Sequence, residues 1–354
     1  MRETTQKNIQ EAADHFDLGG KTVSVQINHS GHINDTAIVT AEKDGFRRRY
    51  ILQRINTDVF SRPDELMENI VRVTSFLKKK IRSAGGDPER ETLTVVPARD
   101  GAPFYRDGEG SCWRAYLYLE NTVCYDRPDL PERFGQSGAI FGRFQRMLSD
   151  YPAETLYETI ADFHNTKVRY QNFLSAVSED CMRRAGEVER EIRFLEDRRD
   201  YTRILQETSM PLRVLHNDTK LSNVLFDQKT GKPLCVIDLD TIMPGYVITD
   251  FGDAIRFGAS TSAEDERDLT KVHFDRNLYG LFRDSFLQEA GHALTDEEVR
   301  MLPDGAKLIT YEQALRFLTD YLVGDVYYHT ERTGQNLDRA RTQIRLLEEM
   351  ERML

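Results

Sequence analysis

Cysteine is scarce in this chain. Four residues in 354, Cys112, Cys124, Cys181 and Cys235, stand far apart with no C-x-x-C pair. That spacing argues against a disulfide framework or a cysteine zinc site and reads as buried free thiols in a reducing compartment. Long apolar runs are missing too, and none approaches the ~20 residues that span a bilayer. The opening MRETTQKNIQEAADHF is polar and lacks an apolar signal-peptide core, so the expected setting is cytoplasmic. Positive charge is in deficit: 48 Lys and Arg face 59 Asp and Glu, a formal net charge of −11. A surface of that sign argues against a general nucleic-acid or anionic-membrane binder. No Walker A loop occurs, because TGKP lacks the upstream glycine and the following Ser or Thr. There is no internal repeat and no low-complexity linker.

What is present is an ordinary globular mix, 39% hydrophobic and 30% charged, in a chain long enough for about two domains at roughly 100–200 residues each. The first third is strand-rich. VSVQI, TAIVTAE and RRYILQRI are β-favouring runs separated by polar turns such as EKDGF. PDELMENIVRVTSFLKKKI predicts a helix, with Pro63 near its start and Leu66, Ile70, Val73 and Phe76 or Leu77 on one face. TLTVVPA and WRAYLYLE predict further strands joined by a turn around DGEG. Beyond Glu120 long helices take over: IFGRFQRMLSD, a segment marked by Val188, Ile192 and Leu195, and a last one carrying Leu337, Ala340, Ile344 and Leu347. The expected layout is an α+β chain with a small β-rich lobe at 1–120, a connector near 118–125 and a larger, mainly helical lobe at 121–354.

The most informative stretch is VLHNDTKLSNVLFD, Val214 to Asp227. Two apolar pieces flank a loop that carries His216, Asp218, Lys220 and Asn223. The next run, DQKTGKPLCVIDLD, turns at Gly231 and Pro233 and reads as the second arm of a hairpin. Pairing Asp227 with Leu234 sets Leu225 opposite Val236 and Asn223 opposite Asp238. Opposed Cβ atoms lie ~4.5–5.5 Å apart, so a carboxylate and a carboxamide oxygen could share one hard cation, for which magnesium is suited. A loop aspartate beside such a cation can accept a proton from an attacking hydroxyl, and Lys220 can place charge on a moving phosphoryl group. One loop could thus supply base, phosphate ligand and metal ligand.

H-N-D-T-K-L-S-N resembles the catalytic loop of protein kinases, with Asp218, Lys220 and Asn223 at matching offsets, and I-D-L-D is similar to the metal-binding aspartate segment of kinase-like phosphotransferases, including aminoglycoside and choline kinases. Further stretches resemble the bacterial N-acetylhexosamine 1-kinases: GHIN (31–34), YILQRIN (50–56), LMENIVRVTSFL (66–77), VIDLDTIMPG (236–245), DFGDAIRFGAS (250–260) and RFLTDYLVGDVYY (316–328). The resemblance implies a bilobal, protein-kinase-like fold and ATP- and Mg²⁺-dependent phosphorylation of the anomeric hydroxyl of GlcNAc or GalNAc. It makes Asp218 the base and Asn223 and Asp238 the magnesium ligands, with His216 ordering the loop. Asp240 is a second ligand or a turn acid.

Two features depart from the kinase pattern. The first lobe has no G-x-G-x-x-G, only HSGHIN, and YILQRIN has no lysine where that strand supplies one. Gln53 or Arg54 stands there, and alternation lets only one of them face a nucleotide. Glu65 and Glu68 on the following helix are either its partners or plain surface acids. Tyr118, Leu119 and Glu120 resemble the connector that contacts adenine. For the sugar, His32, Phe257, Arg316 and Tyr327 are the candidates; Arg316 and Tyr327, eleven apart, would share a helix face about three turns apart. Asp250 and Asp253 read as structural, bonding loop amides or capping a helix. The rival readings are a kinase of another small alcohol (choline, homoserine or aminoglycoside type) and a non-catalytic nucleotide-binding module.

Overall fold

The computed structural model describes residues 5–28 and 33–354. They fall into two compact units, and the division is not a single cut. The described residues of Met1–Cys124 are joined in the first unit by Asp150–Ile160 and Val224–Met243, and the second holds Tyr125–Ser149, Ala161–Asn223 and Pro244–Leu354.

In the first unit, helix α1 (Gln6–Ala13) is capped by Thr5, whose side chain accepts from Asn8 N. Strands β1 (Lys21–Asn28), β2 (Asp35–Lys43), β3 (Phe46–Ile55), β4 (Val95–Val96), β5 (Tyr105–Arg106) and β6 (Cys112–Leu117) form one sheet, ordered β1-β2-β3-β6-β4 with β5 also on β6. The period-two pattern sorts its faces. Val39 lies opposite Tyr50 and Ala37 opposite Leu52, and these pack with Trp113, Ala115 and α1 residues Ile9, Ala12 and Ala13. The other face carries Thr36, Gln53 and Arg114, which are cross-strand neighbours in that order. TLTVVPA supplies only Val95 and Val96 to the sheet, and the DGEG turn joins β6 to the two-residue β5.

Helix α2 (Pro63–Ser83) has Pro63 in its first turn with Asp64 and Glu65, and Lys80 and Arg82 in its last. It buries Leu66, Ile70, Val73 and Leu77, so Leu77 rather than Phe76 completes the stripe. A second small sheet, β10-β9-β7, is built from β7 (Thr122–Val123), β9 (Val224–Asp227) and β10 (Pro233–Val236). Its hairpin corrects the expected register by one residue. Val224 faces Val236 and Leu225 faces Cys235, with an irregularity between Pro233 and Cys235. The ladder ends there, so Asn223 and Asp238 are not an opposed strand pair.

Outside a two-stranded sheet of β8 (Arg213–Leu215) and β11 (Met243–Gly245) and a lone bridge of Ser260 with Phe274, the described second unit is mainly helical. Helices α3 (Pro131–Met147), α4 (Thr166–Glu179), α5 (Glu189–Glu196), α6 (Val247–Gly258), α7 (Arg276–Ala290), α8 (Asp296–Val323) and α9 (Gln335–Met353) make it up. The long α8 is its axis. Thr295 and Glu298 form a capping box at its start, and Gly324, left-handed at φ 106°, closes its end. Tyr311, Leu315, Leu318 and Leu322 of α8 are buried among residues of α4, α5 and α9, each such side chain contributing about 1.5–3 kcal/mol. Glycines let α6 and α8 approach closely: a Cβ on Gly252 of α6 would stand 2.3 Å from the carbonyl oxygen of Gly305 in α8. All four cysteines are free, but only Cys112 and Cys235 are buried; Cys124 and Cys181 are exposed.

Candidate active site

The loop after β8 is held from below by α6. His216 N and Asn217 N donate to the two Asp250 carboxylate oxygens at 2.8 and 2.7 Å. Thr219 N donates to Asp253 Oδ2 at 3.0 Å, and the Thr219 hydroxyl donates to the Asp250 carbonyl. Gln145 Nε2 reaches both Val214 O and Asp250 Oδ2 at 3.0 Å. Burial pushes the Asp250 carboxyl up, against the opposing pull of His216 and the two amides. His216 is fully buried, edge-on to Phe141 and Phe144, and its Nδ1 accepts from Asp218 N. It orders the backbone, and so do Asp250 and Asp253.

This scaffold presents Asp218 with about a third of its side chain exposed. Asp218 Oδ2 accepts from Lys220 Nζ at 2.7 Å and from Asn223 Nδ2 at 2.8 Å. Asn223 Nδ2 also donates to the Asp218 carbonyl, and no donor reaches its Oδ1 among the described residues. The second unit therefore brings Asp218, Lys220 and Asn223 together.

Within the first unit, Asp238 has a left-handed backbone, φ 61° and ψ 63°, and opens a short turn, Leu239–Thr241. For a non-glycine residue that conformation costs on the order of 1–2 kcal/mol, least for Asp and Asn. The turn is tied down on every side. Asp240, 3% exposed, accepts from Arg114 Nη1 at 2.5 Å and Nη2 at 2.9 Å, and from Asn34 Nδ2 at 2.6 Å. Gln53 Oε1 accepts from Arg114 Nε and Nη2 at 3.0 and 2.8 Å. Thr159 Oγ1 donates to the Asp240 carbonyl, and Asn69 of α2 donates to the Ile242 carbonyl at 3.0 Å. Burial opposes the Arg114 charge, but Asp240, then Tyr116 and more weakly Asp238 outweigh it and raise its pKa further.

Gln53 thus shares a sheet face with this turn, whereas Arg54 alternates to the other face and pairs with Asp35 at 2.9 Å. Glu65 and Glu68 pair with Arg62 and Arg72 of their own segment. After β6, Tyr118 N donates to Arg49 O, and the Arg49 guanidinium lies over the Tyr118 ring and pairs with Glu120. That pairing, chiefly a hydrogen bond, holds the Glu120 carboxyl below its ordinary value. Leu119 is buried, and its carbonyl accepts from Thr122 Oγ1.

A further group lies in the second unit. The Arg316 guanidinium sits 5.9, 5.7 and 5.5 Å from the ring centres of Phe163, Tyr327 and Tyr328. Its one hydrogen bond among the described residues is to Gln313 Oε1 at 3.3 Å, and Gln313 Nε2 donates to the Tyr328 hydroxyl. Arg316 and Tyr327 do not share a helix face as expected, because α8 ends at Val323. They meet because Asp320 accepts from the backbone N–H of Val326, Tyr327 and Tyr328 and curls the chain back. Tyr327 is 67% and Phe257 39% exposed, so neither belongs to the core. His32 lies outside the described residues. No cluster of three or more His, Cys, Asp or Glu suited to a metal occurs among the described residues.

The model of the phosphotransferase enzyme family matches residues 24–294. The chain belongs to that family. Solved structures similar to this phosphotransferase include a microcompartment-associated aminopropanol kinase, 17% identical with a TM-score of 0.62 over 98% of this chain and 97% of the other. A spectinomycin phosphotransferase is 12% identical, TM-score 0.60, over 100% and 99%. A choline kinase from Cryptosporidium parvum is 12% identical, TM-score 0.52, over 93% and 89%. These likenesses establish the kinase-like α+β fold. The protein is thus a phosphotransferase by family, and no helix of its described residues is long and apolar enough to cross a membrane.

Sequence reasoning missed Arg114, Asn34, Asn69 and the Phe163–Tyr328 pair. The arginine in the middle of the apolar run CWRAYL was the available signal, since a buried arginine demands a partner.

Proposed function

We propose that this phosphotransferase transfers the γ-phosphoryl group of ATP to the anomeric hydroxyl of an N-acetylhexosamine, GlcNAc or GalNAc. The hydroxyl oxygen bonds to the γ-phosphorus, the bond to the β–γ bridging oxygen breaks and ADP leaves. Asp218 takes the hydroxyl proton as general base, and Lys220 offsets charge on the moving phosphoryl group. Asn223 and Asp238 would hold Mg²⁺. They are hard oxygen donors, and the Asn223 amide nitrogen is committed to Asp218, leaving its carboxamide oxygen for a cation. When bound, that ion neutralises phosphate charge. Gln53 and the segment Tyr118, Leu119 and Glu120 take the nucleotide, with Arg54 behind the sheet as a support; the spectinomycin phosphotransferase relative was solved with ADP.

For the acceptor, one observation carries the reading: the Arg316 guanidinium ringed by Phe163, Tyr327 and Tyr328. Flat apolar walls beside a hydrogen-bond donor suit a neutral, hydroxyl- and carbonyl-rich ring. Its neighbour Glu312 is spent on His164 and Thr166 and so offers no cage for an amine. Phe257 and His32 would complete the sugar contacts. The rival acceptor is a cationic amino alcohol, which the kinase relatives and the net charge of −11 favour. ATP and Mg²⁺ incubated with GlcNAc, GalNAc, choline, aminopropanol and an aminoglycoside separate the two. Phosphorus NMR should show a product coupled to the sugar H1. Turnover of the amines with none of the hexosamines would replace this reading by its rival.

A further inference from the structure

The turn that follows Asp238 is fixed from three directions within the first unit. From the sheet, Arg114 forks both Asp240 oxygens while Gln53 grips the arginine from behind. From the start of β2, Asn34 bonds Asp240 Oδ2 with its amide and accepts from Asn56 N with its oxygen. From α2, Asn69 holds the Ile242 carbonyl. Arg114 is 1% and Asp240 3% exposed, so the pair is sealed from water. Both Asp240 oxygens already accept strong hydrogen bonds. Asp238 lies two residues away in a conformation that an L-residue rarely adopts unaided.

We propose that Arg114 and Asp240 form a positioning pair, in which Asp240 anchors the turn rather than binding the cation and Arg114 holds Asp238 in its ligating conformation. This role rests on Asp238 being a cation ligand, as proposed above. A bidentate guanidinium–carboxylate fork fixes orientation as well as distance, which a lysine cannot do.

Mn²⁺ binding to the full chain, measured by electron paramagnetic resonance with a non-hydrolysable ATP analogue, tests the pair without turnover. Arg114→Lys and Asp240→Asn should each weaken Mn²⁺ binding about tenfold or more. The double variant should be no weaker than the poorer single, because the two act as one unit. The Mg²⁺ concentration for half-maximal turnover should rise in step, with the acceptor KM unchanged. Should either variant lose its cooperative melt, Asn34→Ala removes one bond to Asp240 and should weaken Mn²⁺ binding by a smaller factor. Wild-type Mn²⁺ affinity in Arg114→Lys or in Asn34→Ala, or losses that multiply in the double variant, would overturn the pair. Loss in Asp240→Asn with none in Arg114→Lys would make Asp240 a ligand instead. If the wild-type chain binds no Mn²⁺ with nucleotide, the role of Asp238 and that of the pair fall together.

Discussion

Single side chains make the sharpest commitments. Asp218 has its carboxylate placed by Lys220 and Asn223 and its backbone fixed by His216. Asp218→Asn keeps that shape and removes the proposed base. Its kcat should fall about 10²–10⁴-fold with nucleotide affinity nearly unchanged, as rapid-quench and equilibrium binding measurements would show. Glu312 is buried, which alone would raise its carboxyl, yet His164, Thr166 and Arg316 together hold it below its ordinary 4.5. A depressed carboxyl contributes stability above its unfolded value, and that stability is lost as pH falls through the folded value. Calorimetric melts between about pH 6 and pH 3 should therefore show the gap between wild type and Glu312→Gln closing as the pH drops. A gap that stays constant would mean Glu312 does not titrate in that range.

Among the elements, what was legible in the sequence was local. β-Favouring runs between polar turns marked β1 to β3, and the apolar stripe of α2 needed no partner to be read. Asp218, Lys220 and Asn223 lie within six residues of one another, so their grouping was legible too. Arg114 was not, since its partner is 126 residues away. The hairpin register slipped because an irregularity beside Cys235 and a left-handed Asp238 leave no mark in residue type. Tyr327 was assigned to α8 although Gly324 and Asp325 signal its end. The contact of α6 with α8 gives a test at this scale. Gly252→Ala would drive its new carbon to 2.3 Å from a backbone oxygen that cannot swing away. It should cost about 1–3 kcal/mol in denaturant melts. It should also lower kcat, since α6 carries the two acids that hold the Asp218 loop. Unchanged turnover would separate that helix contact from the site.

Taken as a whole, the chain is threaded between its units rather than strung along them. A sequence reading naturally places one boundary near residue 120, because composition changes there. Long-range pairing is invisible to composition, and it assigns 150–160 and 224–243 to the first unit. A fragment ending at Cys124 would lack the carboxylate that neutralises buried Arg114 and the carbonyls that satisfy Asn69. An unpaired buried charge costs several kcal/mol, of order the net stability of a small domain. Residues 1–124 expressed alone should show no cooperative melt by circular dichroism, and a sharp transition would refute the interdependence.

That interleaving sets an order of events at the ribosome. Arg114 emerges long before Asp240, and at a synthesis rate of about 5–20 residues per second the interval is many seconds. Throughout it the nascent sheet lacks the carboxylate that Arg114 pairs with in the finished fold. The amino-terminal part should therefore complete its fold only once the strand carrying Val236 and the turn beyond it are made.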